Sequence, residues 1–377
     1  MKTVLLRKFT ISSFFSNFVV LCSGLWMSSV LPLSPFYLVV IPIIFFPCYP
    51  NHVTSKITYT TQITYFISCC VFFYTLIQPV FTDSTFHNNI VLGFCYLFYF
   101  FCDFILCTVT SKKVYVDILR RYSLITILYM SFDFVKRLLE IDINNIPIWI
   151  KSTPIYYFYI FKGKGLHGDS NNSAMICLTV LALFYFYKVF LVEKGKKFSS
   201  IYIALIICLV LTFSRAALIA FFVLILFNHL FYQRGVYFRV FDLFFLFLCF
   251  GGILYFLSVD ASGKTKIEIY QQTLYYIVNE RDIVKILFGY GGNNSVHVLG
   301  MYAHNPFSIY LIEYGVLGVC LYILFFLFVY IDVGHFSLFI LIPYFVAAIS
   351  FSPLHTTYLF ASLSLIKQAR RIYQLRW

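Results

Sequence analysis

The chain has 377 residues, 61% of them hydrophobic and only 11% charged, and its mean hydropathy is +0.86. Apolar runs of about 20 residues recur along its length, which excludes a soluble globular protein and points to an all-α integral membrane protein. The net charge of +13 is spread along the chain without any nucleic-acid motif, so it reports topology and contact with anionic phospholipid, with no nucleic acid as partner.

Taken in order, the apolar runs predict a polytopic bundle of about 12 transmembrane helices, near 11–31, 34–48, 61–80, 89–109, 119–136, 171–191, 198–212, 215–231, 239–258, 305–330, 336–351 and 354–367. Lys2, Arg7 and Lys8 precede the first run. That run is too long for a cleaved signal and has no clear small-residue cleavage site, so it reads as a retained span. The seventh and eighth runs meet at Thr212-Phe213-Ser214-Arg215, which demands a tight turn.

Basic residues set the sidedness. Lys56, Lys112, Lys113, Arg120, Arg121, Lys188, Lys194, Lys196, Lys197, Arg234 and Arg239 fall in connections on one side, together with both termini. The short connections near 32–33, 81–88 and 352–353 hold no Lys or Arg. By the positive-inside rule the basic side is cytoplasmic. Two long loops, about 137–170 and 259–304, then lie outside, and the whole chain forms a single integral membrane domain. The eleven cysteines all fall in apolar runs without a CxxC spacing, so they read as small buried hydrophobes. No HExxH, DxD or paired Cys/His spacing occurs, so neither a metal nor a cofactor is expected.

The candidate chemistry gathers on the outer side. His304-Asn305 stands at the mouth of an apolar helix, followed by Gly315 and Gly318. On a continuous helix these glycines lie about 20° and 40° around from His304, so they share its face and Glu313 points away. They would admit a neighbouring helix and so aim the imidazole; the plain alternative is a capped helix start with a packing face. Phe288-Gly-Tyr290-Gly-Gly292 is a glycine cluster able to bend tightly and present backbone N–H groups. Arg215, at the boundary between two short runs, has a planar fork suited to phosphate oxygens, or simply snorkels to the interface. Lys162-Gly-Lys164-Gly-Leu-His167-Gly-Asp-Ser-Asn-Asn172-Ser173 leads into a helix whose N-terminus could hold an anion with Lys162 and Lys164. Ser170 or Asn171 would equally serve there as a cap. Asp103 and Asp133, inside apolar runs, read as mainly structural.

Together these pieces resemble the O-antigen ligase and polymerase superfamily of bacterial envelope glycosyltransferases. The Thr212-Phe-Ser-Arg-Ala-Ala segment resembles that family's Ser-Arg segment at an outer boundary. Phe288-Gly-Tyr-Gly followed by His304-Asn305 resembles its large periplasmic loop, and the spacing from His304 through Gly315 to Gly318 fits the ligase-type pattern. Gly168-Asp-Ser-Asn-Asn-Ser-Ala174 resembles the stretch leading into an earlier span. The likeness covers roughly 168–318; the first 135 residues match only in hydropathy. It implies a multi-pass enzyme of the bacterial inner membrane whose two long loops are periplasmic and whose donor is an undecaprenyl-diphosphate-linked O-unit. His304 would serve as general base and Arg215 as the main diphosphate ligand. Lys162, Lys164, His167, Asn172, Asn305 and Tyr290 would bind substrate, with a chain-length regulator membrane protein as a partner. Inversion at the anomeric carbon is expected. The residue bias favours a polymerase of O-units, the histidine motif a ligase to lipid A-core, and a lipid-linked glycan flippase is the reading from another class.

Overall fold

The computed structural model describes residues 14, 16–25, 38, 57–82, 86–141, 160–162, 165–166, 168–191, 199–233, 261–301, 303–351 and 356–375. Among these the regular structure is entirely helical. After a helical segment within 16–23 come α1 (Tyr59–Ile77), α2 (Phe86–Leu106), α3 (Lys112–Leu139), α4 (Ser170–Phe190), α5 (Ser199–Leu211) and α6 (Arg215–Asn228). They are followed by α7 (Ala261–Asn279), α8 (Ile283–Phe288), α9 (Ser295–Leu299), α10 (Pro306–Val333), α11 (Leu338–Ala348) and α12 (Thr357–Tyr373). Among the described residues five stretches are long and apolar enough to cross a membrane: Tyr59–Val80, Asn88–Leu106, Ser170–Phe190, Arg215–Tyr232 and Pro306–Val333. Ser200–Leu211 and His335–Ala348 are shorter apolar helices. The chain is an all-α membrane protein.

The helices follow the apolar runs, with several departures: α3 already begins at Lys112 rather than 119, and α12 runs on to Tyr373 rather than ending at 367. The run expected to end at 136 continues as helix to Leu139, because Arg137 is buried rather than left in a loop. The stretch expected as a loop over 259–304 folds into three helices, α7, α8 and α9. Its mixed polar and apolar sequence carries no long apolar run, so hydropathy alone does not register it. The expected spans 34–48 (Leu38 apart) and 239–258, with residues 11–13, 15 and 26–31 of the first span, lie outside the described residues.

Helix starts follow from local chemistry. Thr58 caps α1, its hydroxyl accepting from the Thr61 N–H; Asp169 caps α4 by accepting from Asn171 N–H; and Asn305 caps α10 ahead of Pro306. α4 runs through the middle of the bundle, 78% buried along its apolar window, against 33% for α10. It packs on α3, α5, α6, α11 and α12, while α1 packs on α2 and α10, and α2 on α12. The outward faces of α1 and α10 carry Phe66, Phe73 and Ile323, each more than half exposed. Such a surface suits lipid tails.

Buried charge sits at both ends of the bundle. At one end Lys367 of α12 lies between Asp103 of α2 and Asp332 of α10, its Nζ 2.6 and 2.5 Å from their carboxylates. Tyr65 donates to Asp103 (2.7 Å), and Thr61 and Tyr99 donate to Asp332 (2.6 and 3.2 Å). This network ties four helices together. Replacing Lys367 with Met leaves two buried carboxylates facing each other and should cost about 3–5 kcal/mol. Thermal unfolding in detergent reads this out; an unchanged transition would refute the network's role.

Candidate functional site

The other end of the bundle collects the C-terminal ends of α1, α3 and α5 and the N-terminal ends of α2, α4, α6 and α10, with α7 to α9 beside them. Its organising contact is an ion pair. Asp133 and Arg137, one helical turn apart on α3, meet at 3.0 Å with side chains 0% and 1% exposed. Arg137 also donates to the carbonyls of Phe161 (2.9 Å) and Leu211 (3.0 Å). Asp133 accepts from the Leu166 N–H (2.8 Å), and Lys136 donates to the Gly165 carbonyl (2.7 Å). Gly165 has φ +58°, and a Cβ there would collide with the Asp133 carboxylate, so only glycine fits. The end of α3 thus holds the segment before α4 and the turn after α5 in one place. Phe161 stacks on Phe213, ring centroids 5.2 Å apart.

That turn carries the arginine anticipated from sequence. Phe213 takes φ +54°, Ser214 caps α6, and Arg215 is the first residue of that helix. Thr212 Oγ1 accepts from the Ser214 N–H, and Ser214 Oγ donates to Asn171 Oδ1 at 2.9 Å. The N-termini of α4 and α6 are therefore joined side chain to side chain. Two helix N-termini pointing to one place favour negative charge there.

His304 stands at the same place. It precedes the Asn305 cap, whose Oδ1 accepts from Ser308 N–H at 2.8 Å. Burial lowers the His304 pKa from its ordinary value of 6.5; Asp169 opposes that shift, while Lys266 and Lys162 add to it. Asp169, Lys162 and Lys266 thus all lie close enough to act on His304 electrostatically. Lys266 and Asp169 were not singled out by sequence reasoning: Lys266 sits in a stretch read as a loop, and Asp169 read as part of a solvated turn. Asn172 lies in the first turn of α4, its N–H bonded to the Asp169 carbonyl. Lys164 and His167 lie outside the described residues. Tyr290 faces elsewhere: its hydroxyl donates to Glu280 (2.7 Å), and Lys285 lies 4.9 Å from its ring centroid. Burial, then the bond to Glu280, pushes its pKa up to about 12.

The glycines of α10 act differently from the helical-face reading. Gly315 has φ +64° and ψ −172°, which breaks α10 into two helices. His304, Gly315 and Gly318 therefore do not share a face of one continuous helix. A break frees the carbonyls of the preceding turn, which need other partners in a membrane. Each finds one. Ile312 O accepts from Tyr290 N–H, and Glu313 O from Gly291 N–H and Gln78 Nε2. Tyr314 O accepts from the Tyr74 hydroxyl. The glycine cluster 289–292 is thus the strap laid into the break. A Cβ on Gly289 would sit 2.5 Å from the Glu313 carbonyl oxygen, and one on Gly315 would sit 2.5 Å from the Leu287 carbonyl carbon. Glu313, 1% exposed, turns into this strap, its two carboxylate oxygens accepting from the N–H groups of Asn293 (2.9 Å) and Ser295 (3.2 Å).

Among the described residues no cluster of His, Cys, Asp and Glu is arranged to hold a metal ion. The arrangement offers instead a half-buried imidazole, two lysines and two helix N-termini, one of them begun by an arginine. It is suited to accept a proton beside an anionic group.

Gly315→Ala should destabilise the protein much more than Gly300→Ala. Gly300 is in the left-handed region, a strain of about 1 kcal/mol for alanine, and a Cβ there meets nothing within 4 Å, whereas Gly315 at φ +64°, ψ −172° lies in a region essentially restricted to glycine and its Cβ would also meet backbone atoms. Limited proteolysis of the 283–300 segment and thermal unfolding would measure the difference; equal effects would count against the strap. Comparison with known proteins places the chain in no family, since no family model, curated protein or solved structure matches it.

Proposed function

We propose that the protein is a glycosyltransferase that polymerises polyprenyl-diphosphate-linked oligosaccharide units into O-antigen polysaccharide. It would act as a twelve-span protein of the bacterial inner membrane with both termini cytoplasmic and its active end periplasmic. The observation that carries this reading is the meeting of His304, Lys162 and the joined N-termini of α4 and α6 at one end of a membrane bundle. A lipid-linked donor needs its glycan transferred beside a bilayer, and its diphosphate needs cationic and N–H donors. In the reaction an acceptor sugar hydroxyl attacks the anomeric carbon, His304 takes the hydroxyl proton, and the carbon–oxygen bond to the lipid diphosphate breaks. Arg215 and Lys162 stabilise the departing diphosphate, with Lys266 added from the structure. Attack opposite the leaving group inverts the anomeric configuration. Burial keeps the imidazole in its neutral, proton-accepting form near pH 7.

Transfer of the finished chain to lipid A-core is the second reading, favoured by the His304-Asn305, Gly315, Gly318 spacing. A flippase is disfavoured because, among the described residues, the buried ion pairs lie near the two ends of the bundle rather than at a central substrate site.

Deleting the gene in its host and resolving the lipopolysaccharide on a gel separates these. A single repeat on the core is expected. Bare core with accumulated lipid-linked polymer would indicate the ligase, and bare core with units held on the inner face the flippase. His304→Ala and Arg215→Ala should each lower activity at least about 100-fold while the protein still inserts, and full activity in either removes that residue from the mechanism. The sign of the pH effect follows from the lowered His304 pKa. The imidazole loses its base form only on protonation, so activity should hold at pH 7 and fall on an acid limb below 6.5. A limb at higher pH in the rate profile would contradict this.

A further inference from the structure

The end of the bundle opposite His304 contains a cavity of about 430 Å³, lined by Thr58, Thr60, Asp332, Lys367, Arg370 and Arg371, among others. α10 separates the two places: His304 precedes its first residue and Asp332 is its last but one. This cavity has no part in the transfer chemistry. Its charge is unevenly satisfied. Lys367 is held between Asp103 and Asp332, so that group carries one net negative charge. Among the described residues neither Arg370 nor Arg371 makes a direct ion pair with a carboxylate, although Asp103 acts on Arg371 from a distance. Each is held by one terminal nitrogen only, Arg370 on the Val333 carbonyl at 3.2 Å and Arg371 on the Cys107 sulfur. Gly334, at φ +86°, makes room for the first of these; a Cβ there would sit 2.7 Å from Arg370 Nη1. With both arginines counted, these five groups, Asp103 included although it does not line the cavity, carry one net positive charge among the described residues.

The third side is the start of α1. Thr58 caps that 19-residue helix, and its hydroxyl also bonds those of Thr60 and Thr61, at 2.8 and 2.9 Å. Two forked donors, a hydroxyl chain and a helix N-terminus thus surround a space several times the size of a phosphate group. Guanidinium forks match phosphate oxygens, and one net positive charge is balanced by one phosphodiester.

We propose that this cavity binds a phosphate-bearing anion, with Arg370 and Arg371 as its principal ligands. A phosphodiester of the surrounding anionic lipid fits the charge balance; free inorganic phosphate shares the chemistry.

The test uses the full chain, purified in detergent and stripped of lipid. Its melting temperature is measured with phosphatidylglycerol, with phosphatidylcholine and with inorganic phosphate, and retained lipid is counted by native mass spectrometry. Stabilisation by phosphatidylglycerol but not phosphatidylcholine is expected. The R370Q/R371Q double variant should lose at least tenfold in affinity. Stabilisation by phosphate alone, lost in the same variant, supports the site with the free anion as its source. If the glutamine pair does not fold, R370K/R371K keeps the charge and removes the forks, and a several-fold loss is expected from it. Wild-type binding in a folded variant, or no response of the native protein to either probe, overturns the proposal. Because the readout is binding, it stands or falls separately from glycan transfer.

Discussion

The candidate site depends on one buried ion pair. Asp133 and Arg137 occupy successive turns of α3, and neither is exposed. Isolated, either charge would be very costly inside a membrane protein. Together they satisfy their remaining polar atoms on two chain segments, one at Phe161 and Leu166 and the other at Leu211. Those segments lead directly into Asp169 and Arg215. Removing the pair would therefore release two helix starts at once, since Ser214 and Asn171 bond to each other only when both segments are in place.

Glu313 and Gly315 apply the same logic to the histidine. A left-handed glycine ends the first part of α10, and the freed carbonyls of Ile312, Glu313 and Tyr314 are taken up by Tyr290, Gly291, Gln78 and Tyr74. The carboxylate of Glu313 then fixes the turn at Asn293 and Ser295. Gln78 is itself positioned by Asn89, and Asn89 accepts from the Tyr314 hydroxyl. The ends of α1 and α2 are thereby locked to the strap. The segment bearing His304 is held by this hydrogen-bonded strap together with a small apolar cluster of Ile269, Leu299, Ala303, Ile309 and Ile312.

Hydropathy alone located most described helices to within a few residues, because long apolar runs in a membrane have few alternatives to helix. The placing of Arg215 and His304 at one end was also legible, from the alternation of basic and neutral connections. Three things were not. α7 to α9 mix polar and apolar residues without a membrane-length run. The break at Gly315 is invisible to a periodicity count, since the residues on both sides are equally helical and a lone glycine in a helix is common. Asp103 and Asp133 stood out as buried carboxylates, but their partners Lys367 and Arg137 lie, respectively, 264 residues away and in a stretch read as a loop.

The break in α10 also answers a question of length. A straight helix of 28 residues would measure about 42 Å, well beyond a hydrocarbon core of about 30 Å. Interrupted at Gly315, the chain offers 18 residues from Val316 to Val333, a rod of about 27 Å that matches the core without extra tilt. The nine residues before the glycine need not run along the membrane normal. The end of α10 that follows His304 is therefore set at its own angle, independent of the rod that crosses the membrane.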